Sequence, residues 1–410
     1  MTVPPSSIDT KPWIAIASAS FFLCVALDLF YFPATTTFPD EQRFLASAAR
    51  LVETGGFWVG GDRAWEMPGT ALFYAPFVAL APSPGAAILP IRLAQAALLI
   101  VQAILIGVTA RRIFRDRRTA LIAFAMTAFY PFLLYYQGLL LSETLFNTLL
   151  VAGFASLYWW RDRGFRMDAA LVLCCACFGA AALTKATLTV VPPILIALLT
   201  LPARRASLTI RACAVATLIY AAVLAPWWVR NYLVLDTFVP FTTSAALNLY
   251  LGNNPQNPTG GVDWSANVET GVFARLQAMP DEIARQREFT AAALAHIRDD
   301  PGGFVQRMGF KFVRFWNIVP NAPQFSGAFY RIISVASFGP VLLLALLTVV
   351  LRRNLANELS PILLLIAYFT IVHMVTIASL RYRLPLEPFL ILLAAASVRV
   401  ATGRVISARR

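Results

Sequence analysis

Two carboxylates stand side by side at Asp40 and Glu41, in "FPDEQRF", soon after the first long apolar run of the chain. Glu66 follows in "WEMPG", and Glu143 lies in "LSETLF" where another apolar run begins. A carboxylate close to a membrane-length segment is costly, and it is commonly retained for function. A structural alternative stays open, because Asp40, Glu41 and Glu143 could each cap the helix that they begin.

Basic residues accompany these acids at the ends of other apolar runs: Lys185 in "LTKAT", Arg230 in "PWWVRNY", and Arg381 and Arg383 in "RYRLP". Such cations can hold a phosphate and stabilise the charge that develops when it leaves. A carboxylate can take a proton from an attacking hydroxyl, and a second one can bind a divalent ion. The alternative is a set of unrelated interface anchors, each extending along its helix towards water.

The composition decides what kind of element carries these residues. The 410 residues are 59% hydrophobic and only 13% charged, about half the charged fraction of a soluble domain. Many apolar runs have about 20 residues, the length that a helix needs to cross a bilayer. We therefore predict an all-α polytopic membrane protein with ten spans, near residues 13–32, 86–110, 119–137, 142–160, 168–186, 188–201, 208–228, 331–351, 360–380 and 384–400.

The arginines predict which side of the membrane each loop occupies. They are concentrated in short loops, and cytoplasmic loops carry this excess. Ten alternating spans place all of these loops and both ends of the chain on the inner side. The net charge of +13 thus reflects topology, and the lack of a basic face interleaved with aromatics argues against nucleic acid as a partner. The loops are 111–118, 161–166, 204–211, 352–353 and the last residues.

The same topology gives a domain organisation and gathers the acids and bases at the outer face. Residues 69–81 are apolar but too short to cross, which predicts a re-entrant or interfacial segment. The polar region 229–330 has turn signals in "GNNPQNPTGG" and a helical stretch over 281–299. The predicted units are a cytoplasmic tail (1–12) without signal-peptide features, a transmembrane module (13–228) with a catalytic outer loop (33–68), an outer region (229–330) and C-terminal transmembrane helices (331–410).

The cysteines and histidines are predicted to have structural rather than metal-binding roles. All five cysteines lie in apolar runs, and "CCAC" has no neighbouring histidine, which favours packing over metal binding or a disulfide. His296 is expected on a solvated outer helix. His373 is expected as a buried polar residue of the ninth span.

In order along the chain, the Asp-Glu pair, "YYQGLLLSETLF", "LTKAT", "APWWVRNY", "LNLYLGNNP" and "RYRLPLEPFLILLAA" resemble the GT-C glycosyltransferases of the protein O-mannosyltransferase and lipid A aminoarabinose transferase superfamily (family 39-like). The resemblance spans nearly the whole chain. It implies a GT-C-type helical bundle with extracytoplasmic loop helices. It also implies inverting transfer of a sugar from a polyprenyl-phosphate donor to a hydroxyl of a lipid, glycan or protein, outside the bacterial cytoplasmic (inner) membrane.

The resemblance also implies residue roles. Glu66 resembles the metal-binding Glu of a Glu-Lys-Pro-Pro loop, which makes a divalent ion the one cofactor expected. Met67 and Gly69 here replace the Lys and the second Pro, and these replacements weaken both the metal site and one phosphate contact. Because the chain ends after the tenth span, acceptor recognition is expected from 229–330 or from a partner protein. The predicted catalytic residues are Asp40, Glu41 and Glu143, and the predicted donor-phosphate ligands are Lys185, Arg230, Arg381 and Arg383.

Two other functions remain alternatives. A transporter or flippase of a lipid-linked sugar would tend to show internal repeats and polar residues near the midplane of the membrane. The sequence has no evident repeat, and its polar outliers lie at one end of the spans. A scaffold without catalysis would tolerate acid-to-amide changes in the outer loops. The sequence leaves the sugar and the acceptor open.

Overall fold

The computed structural model describes residues 10–188, 191–201, 206–257, 259–261, 270–321 and 325–408. Within these ranges the regular structure is helical, apart from one β-bridge between Val59 and Asp62. The eighteen helices are α1 (Lys11–Phe30), α2 (Pro39–Thr54), α3 (Gly69–Leu80), α4 (Ile88–Phe114), α5 (Arg117–Ala128), α6 (Pro131–Gln137), α7 (Glu143–Asp162), α8 (Ala169–Thr184), α9 (Val191–Thr200), α10 (Ala206–Leu235), α11 (Ser244–Asn253), α12 (Thr270–Gln277), α13 (Glu282–Asp299), α14 (Pro301–Trp316), α15 (Ala328–Leu351), α16 (Ala356–Val375), α17 (Leu380–Arg383) and α18 (Glu387–Ala408).

Several helices are long and apolar enough to cross a membrane. In the described residues five qualify: α1, α10, α15, α4 with its preceding turn, and α16 with its preceding turn. Helices α5 and α6 together make a sixth candidate, bent by 49° where one ends and the other begins. The other four predicted spans coincide with α7, α8, α9 and α18, of which α8 and α9 are apolar but shorter. The protein is therefore a polytopic helical membrane protein, and the number ten stays a prediction.

The bend between α5 and α6 corrects the prediction of one continuous span over 119–137. Pro131 occupies the first turn of α6, where its missing N–H is harmless. The residue before a proline is driven out of the helical region, and Tyr130 accordingly has φ −72° and ψ 120°. Helix α5 therefore ends before Tyr130, and α6 starts in a new direction.

Helix α7 is the centre of the bundle. It packs against α4 and α8, and most of its side chains are buried, as expected for a helix that is apolar on all sides. Its Phe154 contacts Phe178 of α8 and Phe389 of α18, with ring centroids 5.6 and 4.6 Å apart. Because α7 begins at Glu143, this central position carries one carboxylate into the interior, where Glu143 is fully buried.

The region 55–68 contacts the start of α13 through Glu282, and α13 packs against α11. Asp281 caps α13 through the amides of Ile283 and Ala284, so the predicted helix over 281–299 is confirmed to within one residue. Helix α3 covers the predicted short apolar segment 69–81. A Cβ on Gly69 would lie 2.7 Å from the Leu183 carbonyl oxygen, so glycine lets α3 approach the end of α8 closely.

Candidate functional site

Six charged side chains form one connected network, which we call the outer network: Asp40 and Arg43 of α2, Glu66, Glu143 of α7, Lys185 at the end of α8, and Arg381 of α17. Acids and bases alternate along it in the order Lys185, Glu143, Arg381, Asp40, Arg43, Glu66. Three cations face three carboxylates, so the network is neutral when all six are ionised. Its members come from five elements spread over more than 340 residues of chain.

Glu143 forms the closed end of this network. Its Oε1 accepts hydrogen bonds from Lys185 Nζ at 2.8 Å and from Arg381 Nε, and its Oε2 accepts from Arg381 Nη2 at 3.3 Å. The carboxylate has no solvent exposure. A buried anion between two cations holds both in place, so Glu143 is suited to orienting them rather than to meeting an acceptor.

Asp40 lies at the open end. One oxygen bonds Arg43 Nη1 at 2.9 Å and the other bonds Arg381 Nη1, while 29% of its side chain remains exposed. Burial alone would raise the pKa of Asp40, but Arg381 and then Arg43 outweigh it and hold the pKa below its usual value. The carboxylate is therefore ionised and reachable, which are the two conditions for accepting a proton.

Glu66 extends the network through Arg43. Its Oε2 accepts from Arg43 Nε at 2.9 Å and its Oε1 from Ser47 Oγ at 3.3 Å. Burial raises its pKa, against the opposing effect of Arg43. In the part of the chain described here, no three His, Cys, Asp or Glu side chains come together as a metal site would require. An arginine occupies the place of a second ligand, so these residues do not fit the divalent ion expected at Glu66.

Arg383 does not join the outer network, and the expectation that it converges with Lys185 and Arg381 is wrong. It is completely buried, and its Nε bonds Glu387 Oε1 at 3.0 Å. Its Nη1 bonds the Asn317 carbonyl at 2.7 Å, and its guanidinium lies 3.4 Å from the centroid of the Phe338 ring. Residues two apart on a short helix point in different directions, and the prediction overlooked this.

Glu41 and Arg230 are also separate from the outer network. Glu41 is fully buried and accepts from the amides of Thr37 and Phe38, so it caps α2, and from the amide of Leu140 at 2.9 Å. That last bond fixes the loop that leads into Glu143. Arg230 donates to the Phe57 and Arg63 carbonyls and so anchors the first outer loop.

Sequence reasoning overlooked three contributors to the site. Arg43 follows Asp40 at the helical spacing i+3, so the sequence itself contained the signal for this ion pair. Tyr74 and Gln95 bond one another at 2.9 Å and bind the carbonyls of the loop that precedes Glu143. Those two are recognisable only once α3 and α4 are packed together.

The remaining cysteines and histidines take no part in the outer network. All five cysteines are free, and Cys24, Cys174 and Cys175 are buried. His373 is buried and stacks on Tyr382 with ring centroids 4.6 Å apart. His296 lies on α13 near Tyr250, at 5.8 Å between centroids.

A cavity of about 440 Å³ opens beside the network at Arg381. It lies between α1, α6, α15 and the segment before α17, and most of its lining is apolar or aromatic. Arg314, Asn321 and Arg381 contribute charged and polar groups. The aromatic lining consists of Tyr31, Phe32, Phe132, Tyr135, Tyr136, Phe325, Phe329 and Tyr330.

A family model and two structures of an archaeal oligosaccharyltransferase agree with this architecture. Residues 66–229 match the family model "Dolichyl-phosphate-mannose-protein mannosyltransferase". AglB from Archaeoglobus fulgidus, solved with an inhibitory peptide and a dolichol-phosphate, superposes with a TM-score of 0.60 at 13% identity, over 98% of this chain and 52% of its own. The apo form of the oligosaccharyltransferase from the same organism gives 0.56 at 11% identity, over 98% and 52%. ArnT from Cupriavidus metallidurans bound to undecaprenyl phosphate gives 0.44 at 17% identity, over 97% and 79%.

No sequence among the curated proteins matches this chain. The chain spans about half the length of the archaeal oligosaccharyltransferase. The fold is shared with the archaeal oligosaccharyltransferase AglB, which confirms the predicted helical GT-C-type fold class, and the family-model match over residues 66–229 agrees with the predicted resemblance.

Proposed function

We propose that this protein is a membrane glycosyltransferase that moves a sugar from a polyprenyl-phosphate donor to an acceptor hydroxyl. One observation carries the proposal: Arg381 belongs both to the outer network and to the wall of the aromatic cavity. An amphiphile with a long apolar tail and one anionic head group fits that arrangement. The dolichol-phosphate in the AglB structure is a ligand of this chemical kind in the same fold.

The donor would lie with its isoprenoid chain in the cavity and its phosphate against Arg381. Lys185 stands on the other side of Glu143, with its Nζ 2.8 Å from Oε1, so both cations can approach one head group. Because Glu143 is fully buried and bonds both cations, it holds Lys185 and Arg381 beside one another. Electrostatic stabilisation of a leaving phosphate is strong in such a partly buried place.

In the transfer step, Asp40 takes the proton of the acceptor hydroxyl. The hydroxyl oxygen forms a bond to the anomeric carbon while the bond from that carbon to the phosphate oxygen breaks. The phosphate keeps the bonding electron pair, and Arg381 and Lys185 stabilise the resulting charge. Attack opposite to the leaving group inverts the anomeric carbon.

The ion pair between Asp40 and Arg381 links the basicity of Asp40 to donor binding. Arg381 is one of the two cations that lower the pKa of Asp40. When an incoming phosphate competes for Arg381, the carboxylate loses part of that stabilisation, and its pKa rises towards its usual value. Donor binding therefore makes Asp40 a stronger base at the moment when an acceptor needs one.

The side and setting follow from the predicted topology. With the arginine-rich loops inside, the outer network faces the exterior or periplasm, and the bacterial inner membrane is the matching location. The acceptor is a hydroxyl of a lipid, a glycan or a protein. It would reach Asp40 from the aqueous side, past Arg43 and the outer loops.

The test is transfer by the purified protein in liposomes that contain undecaprenyl-phosphate-linked sugar with a radioactive label. Donor consumption is followed together with labelled product on extracted membrane acceptors. Asp40→Asn should lower turnover about 10²–10⁴-fold, because it removes a general base while keeping size. Glu53→Gln, an exposed acid later on the same helix, is the matched control and should turn over normally.

Two outcomes would contradict the proposal. Equal turnover in Asp40→Asn and Glu53→Gln would remove Asp40 from the mechanism. Movement of intact labelled donor across the bilayer, with no bond broken, would indicate a flippase instead.

A further inference from the structure

The break between α16 and α17 is held by side chains that have no part in the outer network. Helix α16 ends at Val375, and α17 begins at Leu380, one residue before Arg381. Thr376 has φ −92° and ψ −113°, outside the regular regions, so the carbonyls here have no helical partner. Asn253 Nδ2 bonds the Val375 carbonyl at 2.9 Å, and Arg314 Nε bonds the Ala378 carbonyl at 3.1 Å.

Lys311 of α14 is the centre of this arrangement. Its Nζ bonds Asn253 Oδ1 at 3.0 Å, the Thr376 carbonyl at 2.8 Å and the Val375 carbonyl at 3.2 Å. The side chain is completely buried, and its partners within the described residues are an amide oxygen and two carbonyls rather than a carboxylate. An ammonium has three N–H donors, and here each one has an oxygen partner. A buried charge is thus used to gather three neutral oxygens around the break.

Two glycines of the "GNNPQNPTGG" segment, one in the last turn of α11 and one beyond it, make this contact possible. A Cβ on Gly252 would lie 1.8 Å from the Thr376 carbonyl oxygen. Gly260 has φ +63°, a Cβ there would lie 2.4 Å from the Lys311 side chain, and its carbonyl accepts from the Ala378 amide at 3.1 Å. Gly252 and Gly260 therefore allow the break to pack closely against them, a role that the sequence alone does not indicate.

We propose that Lys311 is a positioning residue that fixes the break Val375–Ser379, and through it the place of Arg381 in the outer network. Asn253, Arg314 and the Gly260 carbonyl also hold the segment, but Lys311 contacts two consecutive carbonyls where α16 ends, and α17, which carries Arg381, has only four residues. If the carbonyls of Val375 and Thr376 relax, Arg381 moves relative to Asp40 and Glu143. This role rests on the proposed transferase function, since its consequence is the placing of a phosphate-binding cation.

The charge on Lys311 makes this positioning sensitive to pH. Burial, and then the neighbouring Arg307, lower the pKa of Lys311 to about 7. Below that value the ammonium supplies all three donors, and above it the neutral amine turns a lone pair towards one of the three oxygens. Besides Arg307, the elements that contact α14 or Lys311 carry these titratable residues: Arg314 on α14 itself, Tyr250 on α11, Glu282, Arg285, Arg287, Glu288, His296, Arg298 and Asp299 on α13, Glu358, Tyr368 and His373 on α16, and Arg381, Tyr382 and Arg383 on α17. Transfer should therefore decline as the pH rises through about 7.

The first experiment compares Lys311→Met with the wild-type protein in the liposome assay and by hydrogen–deuterium exchange. Methionine keeps the length but supplies no donor. Turnover should fall about tenfold to a hundredfold, as for a small displacement of a catalytic group, and it should show no decline through pH 7. Amides of 376–383 should exchange faster than in the wild type once intrinsic pH effects are corrected.

A second variant tests the same geometry without touching a charge. Gly252→Ala drives a methyl group against the Thr376 carbonyl and should reproduce the loss of turnover and of exchange protection, while the decline through pH 7 remains. Gly309→Ala is the matched control, because it is an exposed helical glycine of α14 with open space around its Cβ position. It should behave as the wild type does.

The outcomes separate this proposal from the transferase itself. Unchanged exchange of 376–383 in both Lys311→Met and Gly252→Ala would overturn the positioning role, and so would normal turnover in both. If the wild type breaks no donor bond, the proposed function fails. Faster exchange in both variants would then still support Lys311 as the anchor of the break.

Discussion

Arg381 and Arg383 stand two residues apart, yet they occupy opposite kinds of environment. The Arg381 side chain is 26% exposed and shares two carboxylates with two other cations, next to a cavity. Arg383 is sealed against Phe338 and pairs with Glu387, which is also fully buried. The first arrangement can exchange a partner for a ligand, whereas the second has no route to one. A basic pair in sequence thus divides into one arginine that we propose binds the donor phosphate and one arginine that is part of the buried packing.

The comparison extends to the carboxylates. Asp40 is reachable and its pKa is lowered, so the folded state favours its ionised form. Stability from Asp40 is present above its usual pKa and is lost as the pH falls. Glu66 is more buried and its pKa is raised, so the fold favours its neutral form and gains stability as the pH falls. Of these two acids, only Asp40 is both stabilised by the fold in its ionised form and partly exposed to solvent.

The largest effect is expected from removing the ion pair of Arg383 with Glu387, which tests whether Arg383 is structural. Arg383→Met leaves Glu387 as a buried carboxylate without its cation, which typically costs about 3–5 kcal/mol of unfolding free energy. Unfolding by SDS titration in mixed micelles measures it. The double variant Arg383→Met/Glu387→Met should recover most of that loss and transfer sugar within about tenfold of the wild type, because hydrophobic replacement of a buried pair is often neutral.

A second outcome would reverse the assignment. If the double variant is stable but inactive, Arg383 acts on the donor after all, and the network described around Arg381 is incomplete. Reduced stability with normal turnover in the folded fraction is the expected pattern for the single variant.

The next largest effect should come from Arg381→Lys. Lysine keeps the charge, but its single nitrogen lacks the planar fork with which Arg381 bonds Asp40 through Nη1 and Glu143 through Nε and Nη2. We expect turnover to fall about 10²–10³-fold, as for loss of one oxyanion-stabilising donor, with little change in the unfolding midpoint. A turnover within twofold of the wild type would mean that charge alone suffices at this position.

Much of the architecture was predictable because it depends on composition and local patterns. The apolar runs predicted the long helices, and Pro131 marks the bend that the prediction of a continuous span overlooked. The capping residue Asp281 fixes the start of α13, which the sequence predicted to within one residue. These signals act over a few neighbouring residues, so one sequence is enough to interpret them.

The site was predictable in part, for a physical reason. Asp40, Glu66, Glu143, Lys185 and Arg381 do meet, as expected from their predicted places in the first outer loop or at the outer ends of spans. Which side chains turn inward is decided by packing between distant segments, and one sequence does not specify it. Glu41 illustrates the limit: its adjacency to Asp40 suggested a catalytic pair, but it bonds the Leu140 amide 99 residues away.

The smallest effect is expected at Glu66, and it tests whether the network beyond Arg43 matters. Glu66→Gln removes a charge that the fold already disfavours, since burial raises the pKa of this carboxyl. The amide oxygen can still accept from Arg43 Nε. We expect a stability change within about 1 kcal/mol, the usual range for a partly exposed ion pair, and a turnover change below about tenfold. Transfer is measured across pH 5–8 beside Ser47→Ala, which removes the other hydrogen bond to this carboxyl and should be similarly mild. A loss as large as that of Arg381→Lys would show that Arg43 must be held by Glu66 to support Asp40. The functional part of the network would then extend through all six residues rather than end at Asp40.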